Sequence, residues 1–257
     1  MKRFLKEKMK YSSFFMGALV ILIISNAAFS ASSPLFQQKK KEYVFLLHGL
    51  GRTSYSMRKL EKNLHGQGYT VINFKYDSTD NTIEDIVKQL EEEIKKKCVK
   101  RKRKIHFVTH SLGGILVRYY LKDRKDERIG RVVMIAPPNQ GSELADWLKE
   151  HTFNLYEWVT GAAGQQLGTD EESIPLQMGD VDFELGIIAG DKSLNPFYSS
   201  KIPGPDDGKV SVESTKIEGM KDFLLLHESH SFIMNDKEVI RQVIFFLENG
   251  KFNKDKS

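Results

Sequence analysis

The chain has 257 residues, 40% of them hydrophobic, which is enough apolar surface for one sizeable α/β domain or two small ones. The formal charge is +5, but Lys2, Arg3, Lys6, Lys8 and Lys10 face only Glu7 within residues 1–30, so +4 sits there and +1 on the rest. That distribution, with no nucleic-acid motif, argues against a nucleic-acid partner. A single cysteine, Cys98, excludes an intramolecular disulfide.

The basic start is followed by an apolar run of 11 residues, Phe14 to Ile24, relaxed only by Gly17. Ala28-Phe29-Ser30 then gives a small-x-small site before Ala31. This is the pattern of a secretory signal peptide over residues 1–30, and export to a periplasm or the medium is expected. The run is short for a membrane span, which needs about 20 apolar residues. An uncleaved N-terminal anchor is the alternative. No cysteine follows the run to accept a lipid.

Residues 31–41 read as a linker, and the domain is expected over 42–257. Tyr43 to Leu47 is a continuous apolar run, the mark of a strand buried on both faces. A helix is predicted over Tyr55 to Leu64 and a second strand over Tyr69 to Tyr76. Asp80 or Asn81 is placed to cap the next helix, whose apolar face is Ile83, Ile86, Val87, Leu90 and Ile94. The charged run Lys95 to Lys104 reads as the solvated end of that helix, with Cys98 a bystander; a patch for anionic lipid and a reactive thiol are the rival readings. Lys104 to Thr109 is a third strand, Leu112 to Lys122 a helix and Arg131 to Ala136 a fourth strand. Residues 142–182 read as irregular with helical pieces. Glu184 to Ala189 and Asp222 to His227 are the fifth and sixth strands. Asn235 or Asp236 caps a last helix through Leu247, which Gly250 ends. Strands alternating with helices predict a mostly parallel sheet of about six strands covered on both sides.

Ligands of such sheets bind beyond the carboxyl ends of the strands. The segments placed there are His48-Gly49-Leu50, His110 to Gly114, Pro137 to Ser142, Asp206-Asp207-Gly208 and Glu228-Ser229-His230. A serine, an acid and a histidine thus gather at one edge in that chain order. Ser111, between a buried strand and a helix, has the setting of a nucleophile elbow. The sharp turn leaves no room for bulky neighbours, a demand that Gly113 meets and Thr109 does not.

A serine needs a base to take its proton. His65, His106 and His151 lie away from this edge, His110 is turned aside by the elbow, and His48 suits a packed role. His230, in a loop free to swing over Ser111, is favoured over His227, which ends a strand. His227 and His230 are three apart in a loop, a poor match to the helical pair of a zinc site, and no metal is expected. For the acid that orients the histidine, Asp191, Asp206 and Asp207 are candidates, and Asp207 beside Gly208 is favoured. Backbone amides of Leu112 and Leu50 are placed to hold an oxyanion.

HGLGRT, THSLGG, APPNQGS, DGKVSVEST and SHSFIM, in this order, resemble a bacterial lipase/esterase group of the α/β-hydrolase superfamily, over roughly residues 42–250. In that group the aspartate of DG-x-V is the acid, which falls on Asp207, and the histidine of SH-[ST]-F falls on His230. The resemblance implies ester hydrolysis through an acyl-serine intermediate, with no cofactor. It departs from the group's pattern at Thr109, where glycine is usual.

Residues 142–182 lie where such enzymes carry a lid or cap, and both tryptophans, Trp147 and Trp158, fall there. They are expected to touch the substrate, either from a cover over an acyl cleft or from a small self-packed cap. The implied partner is an ester or lipid, with transient contact to a lipid surface and a monomeric chain. An acyltransferase or thioesterase on the same triad is the alternative. A non-catalytic binding protein would be marked by a missing triad member, and none is missing.

Overall fold

A computed structural model describes residues 42–100, 102–152 and 155–255, without the side chains of residues 155–159. The expected signal peptide and linker, residues 1–41, lie outside the described residues. Among the described residues, no helix is long and apolar enough to cross a membrane.

The strands are β1 (Tyr43–Leu47), β2 (Thr70–Asn73), β3 (Ile105–His110), β4 (Ile129–Ile135), β5 (Leu185–Gly190) and β6 (Asp222–Leu226). They form one six-stranded sheet in the order β2-β1-β3-β4-β5-β6, parallel at every pairing. The longer helices are α1 (Arg58–Gly66), α2 (Ile83–Lys97), α3 (Leu112–Leu121), α4 (Glu143–His151) and α5 (Leu155–Gln165). The short α6 (Ile174–Gln177), α7 (Pro196–Ser199) and α8 (Val212–Thr215) precede a long α9 (Lys237–Asn249).

The apolar strands supply two cores because successive side chains leave opposite faces. Tyr43, Phe45 and Leu47 of β1 join Phe107, Met134 and Ile187 under α2 and α3. Val44 and Leu46 join Val108, Val133 and Ile188 under α1 and α9. That double burial is why the central strands read as unbroken apolar runs. The edge strands β2 and β6 are only partly buried, which is why the reading overshot them: β2 ends at Asn73 instead of Tyr76, and β6 at Leu226 instead of His227.

Thr82, not Asp80 or Asn81, caps α2, and its hydroxyl accepts from the Asp85 amide at 3.2 Å. Asp77 is the reason: its Oδ1 accepts from the amides of Thr79 and Asp80 and folds that segment into a turn before the helix begins. Such a cap contributes about 1 kcal/mol. Asp236 caps α9 by accepting from the Glu238 and Val239 amides. At the end of α2, Lys95 and Lys97 pair with Glu91 and Glu93 one turn back. Cys98 is buried there, and burial pushes its thiol up to about 11, which removes the reactive-thiol reading.

Segment 142–182 is more regular than its sequence suggested, holding α4, α5 and α6. Ser142 caps α4. α5 kinks at Gly161, where φ is 63° and a Cβ would stand 1.7 Å from the Thr79 carbonyl oxygen. Only glycine permits that approach.

Candidate active site

The sheet reverses direction of growth at β1, with β2 on one side and β3 on the other. A crevice opens beyond the carboxyl ends at such a point. Register places Leu47 beside Thr109, so the loops that follow, from His48 and from His110, are neighbours.

Ser111 stands between β3 and α3 with φ 53° and ψ −125°, a conformation rare for a residue with a Cβ. Strain of this kind costs on the order of 1–3 kcal/mol and persists only where surroundings enforce it. Here the Ser111 amide donates to Ile135 O at 2.9 Å, and the Gly114 amide to Ser111 O at 2.9 Å. A Cβ on Gly113 would lie 2.6 Å from the Leu47 carbonyl oxygen, so no larger residue fits. Thr109 fits because it is still strand: it pairs with Leu47 and Met134 and is fully buried.

His230 Nε2 lies 3.0 Å from Ser111 Oγ, and its Nδ1 lies 2.7 Å from Asp207 Oδ2. The ionised carboxylate can only accept, so Nδ1 carries the proton and Nε2 accepts the serine hydroxyl. Asp207 is fixed in turn, since its Oδ1 accepts from the Lys209 and Val210 amides at 3.0 and 2.9 Å. The His230 amide donates to Asp207 O. The structure therefore brings Ser111, His230 and Asp207 into one hydrogen-bonded line.

The rival residues are placed elsewhere. Asp206 accepts from Ser199 Oγ and the Gly208 amide. Asp191 meets His227, whose ring is exposed. His110 Nε2 faces the His230 carbonyl oxygen at 3.0 Å, and its ring packs at a tilt against the His230 ring. Burial, then the nearby His230, hold His110 well below the ordinary histidine range, so it stays neutral. His48 is buried, stacks on Tyr76 and meets Gly49 O. The Tyr76 hydroxyl donates to His48 O, and the Gly51 amide to Ser78 Oγ, which together hold the loop carrying Leu50. The amides of Leu50 and Leu112 make no hydrogen bond among the described residues. Among those residues no group of three or more histidines, cysteines or acids is arranged to hold a metal.

Ser111 and His230 open into a cleft of about 370 Å³. Leu144, Ala145 and Leu148 of α4, with Leu167 and Val210, form its apolar wall. Trp147 does not line it. It lies about a quarter-turn round α4 from that wall, stacks on His151 and meets Phe197 edge-on. The Trp158 side chain lies outside the described residues. A larger depression, about 630 Å³, lies at the opposite end of the sheet among Lys104, Arg124, Asp126 and Glu184, and holds no nucleophile beside a base.

Two cleft residues escaped the sequence reading, Arg52 and Lys209. Each lies inside a motif quoted above, HGLGRT or DGKVSVEST, but a lone cation there carries no periodicity to notice.

Solved structures share this architecture. Phospholipase PlaB from Legionella pneumophila matches with a TM-score of 0.65 at 20% identity, over 82% of this chain and 59% of PlaB. The mature lipase BlEst2 from Bacillus licheniformis matches with 0.62 at 19% identity, over 82% and 93%. A monoacylglycerol lipase from Paleococcus ferrophilus matches with 0.54 at 18% identity, over 81% and 94%. The chain has the α/β-hydrolase fold. Residues 25–173 match a family model described as a domain of unknown function, DUF7379, and the chain belongs to that family. No curated protein matches.

Proposed function

We propose that the chain is a serine hydrolase of carboxylic esters. The observation that carries this reading is the line Asp207–His230–Ser111, with the serine held in strained backbone at 3.0 Å from the base nitrogen. His230 removes the Ser111 proton as Oγ attacks the ester carbonyl, and Asp207 holds the ring and offsets the charge it gains. The Leu50 and Leu112 amides receive the oxyanion. His230 then gives its proton to the departing alcohol. A water, deprotonated by the same nitrogen, attacks the acyl-serine and frees the acid. The apolar wall of α4 suits an acyl chain, and the fold's lipase and phospholipase relatives act on such substrates.

The test is initial rate on p-nitrophenyl esters of increasing acyl length. Ser111→Ala is expected to lower kcat by roughly a thousandfold or more while leaving the circular dichroism spectrum unchanged. Hydrolysis retained in that variant would refute the reading. The length at which the rate peaks reports how far the apolar wall accommodates the chain.

A further inference from the structure

We propose that the preferred substrate carries a phosphate-type anion on its alcohol side, received by Arg52 and Lys209. This rests on the ester-hydrolase reading above. Both cations line the cleft, from the loops after β1 and after Asp207, and among the described residues no aspartate or glutamate lines it. Among the described residues Lys209 Nζ has no hydrogen bond and no ion pair, and Arg52 forms no ion pair. The nearest carboxylate, Asp207, is already engaged by His230 and by the Lys209 and Val210 amides. Arg52 is half-buried and Lys209 exposed, and like charges lining one cleft without a counterion repel each other, an arrangement relieved by an anionic ligand.

Their position sets which part of the substrate they meet. The acyl chain has the wall of Leu144, Leu148 and Leu167. The departing alcohol must face His230 Nε2, which protonates it. Arg52 is tied to the residue next to His230, donating from Nη2 to Ser231 O at 3.2 Å. Lys209 stands two residues beyond Asp207. Arg52 therefore stands beside the His230 loop, on the alcohol side, while Lys209 follows Asp207 and adjoins Val210 of the apolar wall; a guanidinium and an ammonium lining one cleft together suit a phosphate.

The experiment compares kcat/KM for esters matched except in charge. One arm uses monobutyrin against butyryl glycerol phosphate, both monomeric in solution. The other uses lauroyl glycerol against lauroyl glycerol phosphate in micelles. The wild type is expected to prefer the phosphate ester by at least about tenfold in both arms, chiefly through KM. Lys209→Gln, which breaks no side-chain bond of the fold, and Arg52→Gln should each lower the anionic-to-neutral ratio, while Lys209→Arg retains it. A ratio near one with p-nitrophenyl esters still cleaved overturns this inference and leaves the ester reading intact. Preference in micelles alone means attraction to a charged surface, which also overturns the placement in the cleft. If Ser111→Ala equals wild type on p-nitrophenyl esters, both readings fall.

Discussion

Asp207–His230 and Asp191–His227 are both close histidine–aspartate pairs at the carboxyl edge, at 2.7 and 2.9 Å. Burial separates them. The His230 and Asp207 side chains are 5% and 1% exposed, whereas His227 is 76% exposed. Water screens the outer pair, which is worth little; the inner pair acts in a low dielectric and fixes one tautomer. Asp207→Asn should therefore lower kcat on an activated ester by about a thousandfold or more, since an amide can no longer hold Nδ1 protonated. Asp191→Asn should change it by about twofold or less. Equal effects of the two variants, read from steady-state kinetics, would contradict this assignment. His110 belongs to the same scale: its neutral ring packs against the His230 ring and bonds the His230 carbonyl oxygen, which holds that segment in place.

At the scale of elements, segment 142–182 is fastened to the sheet through a buried arginine. Arg118 of α3 donates to Asn139 O at 2.8 Å, to Pro175 O at 3.1 Å and to Gly179 O at 2.9 Å. Burial lowers its guanidinium to about 10, so it remains charged at neutral pH. Three stretches remote in sequence thus share one cation: α3, the loop after β4, and the segment around α6. Gln166 adds a second fastening, bonding the Ile83 amide and Glu84 at the start of α2. Arg118→Met would leave several buried carbonyls without a donor. A loss on the order of 3 kcal/mol is expected in urea unfolding, together with a raised KM, because α4 of the same segment lines the cleft. A loss below about 1 kcal/mol would mean water replaces the guanidinium without difficulty.

For the molecule as a whole, three buried histidines set its response to acid. His48, His106 and His110 all lie below the ordinary histidine value of 6.5, in each case chiefly because burial penalises the charged ring. Unfolding lets them take up protons at about 6.5, so below that pH the unfolded chain binds more protons than the folded one. Stability should be full above about pH 6.5 and fall progressively as pH drops beneath it. Tm measured between pH 8 and pH 5 should decline, and His110→Gln should flatten part of that decline. An unchanged Tm over that range would show that these rings protonate without unfolding.

The sequence by itself determined the parallel sheet, the helices outside segment 142–182 and the strand-turn-helix that carries Ser111. Strand runs such as Tyr43 to Leu47 are local signals, because burial on two faces demands apolar residues at every position. Ser111 was legible for the same reason, since the strand, Gly113 and the helix start lie within a few residues of it. What the tertiary structure decided are relations across long separations. Ser111 and His230 are 119 residues apart, and their hydrogen bond exists only because the parallel sheet ends β3 and β6 at the same edge. The choice of Asp207 over Asp191 turned on burial, which belongs to the folded surroundings and not to the residue. The cleft wall fell to Leu144, Ala145 and Leu148 instead of Trp147, because the rotation of α4 about its axis is set by what it packs against. The pairing of Arg52 with Lys209 is of this kind too: each is an ordinary surface cation in sequence, and only the closing of two loops over one crevice makes them neighbours.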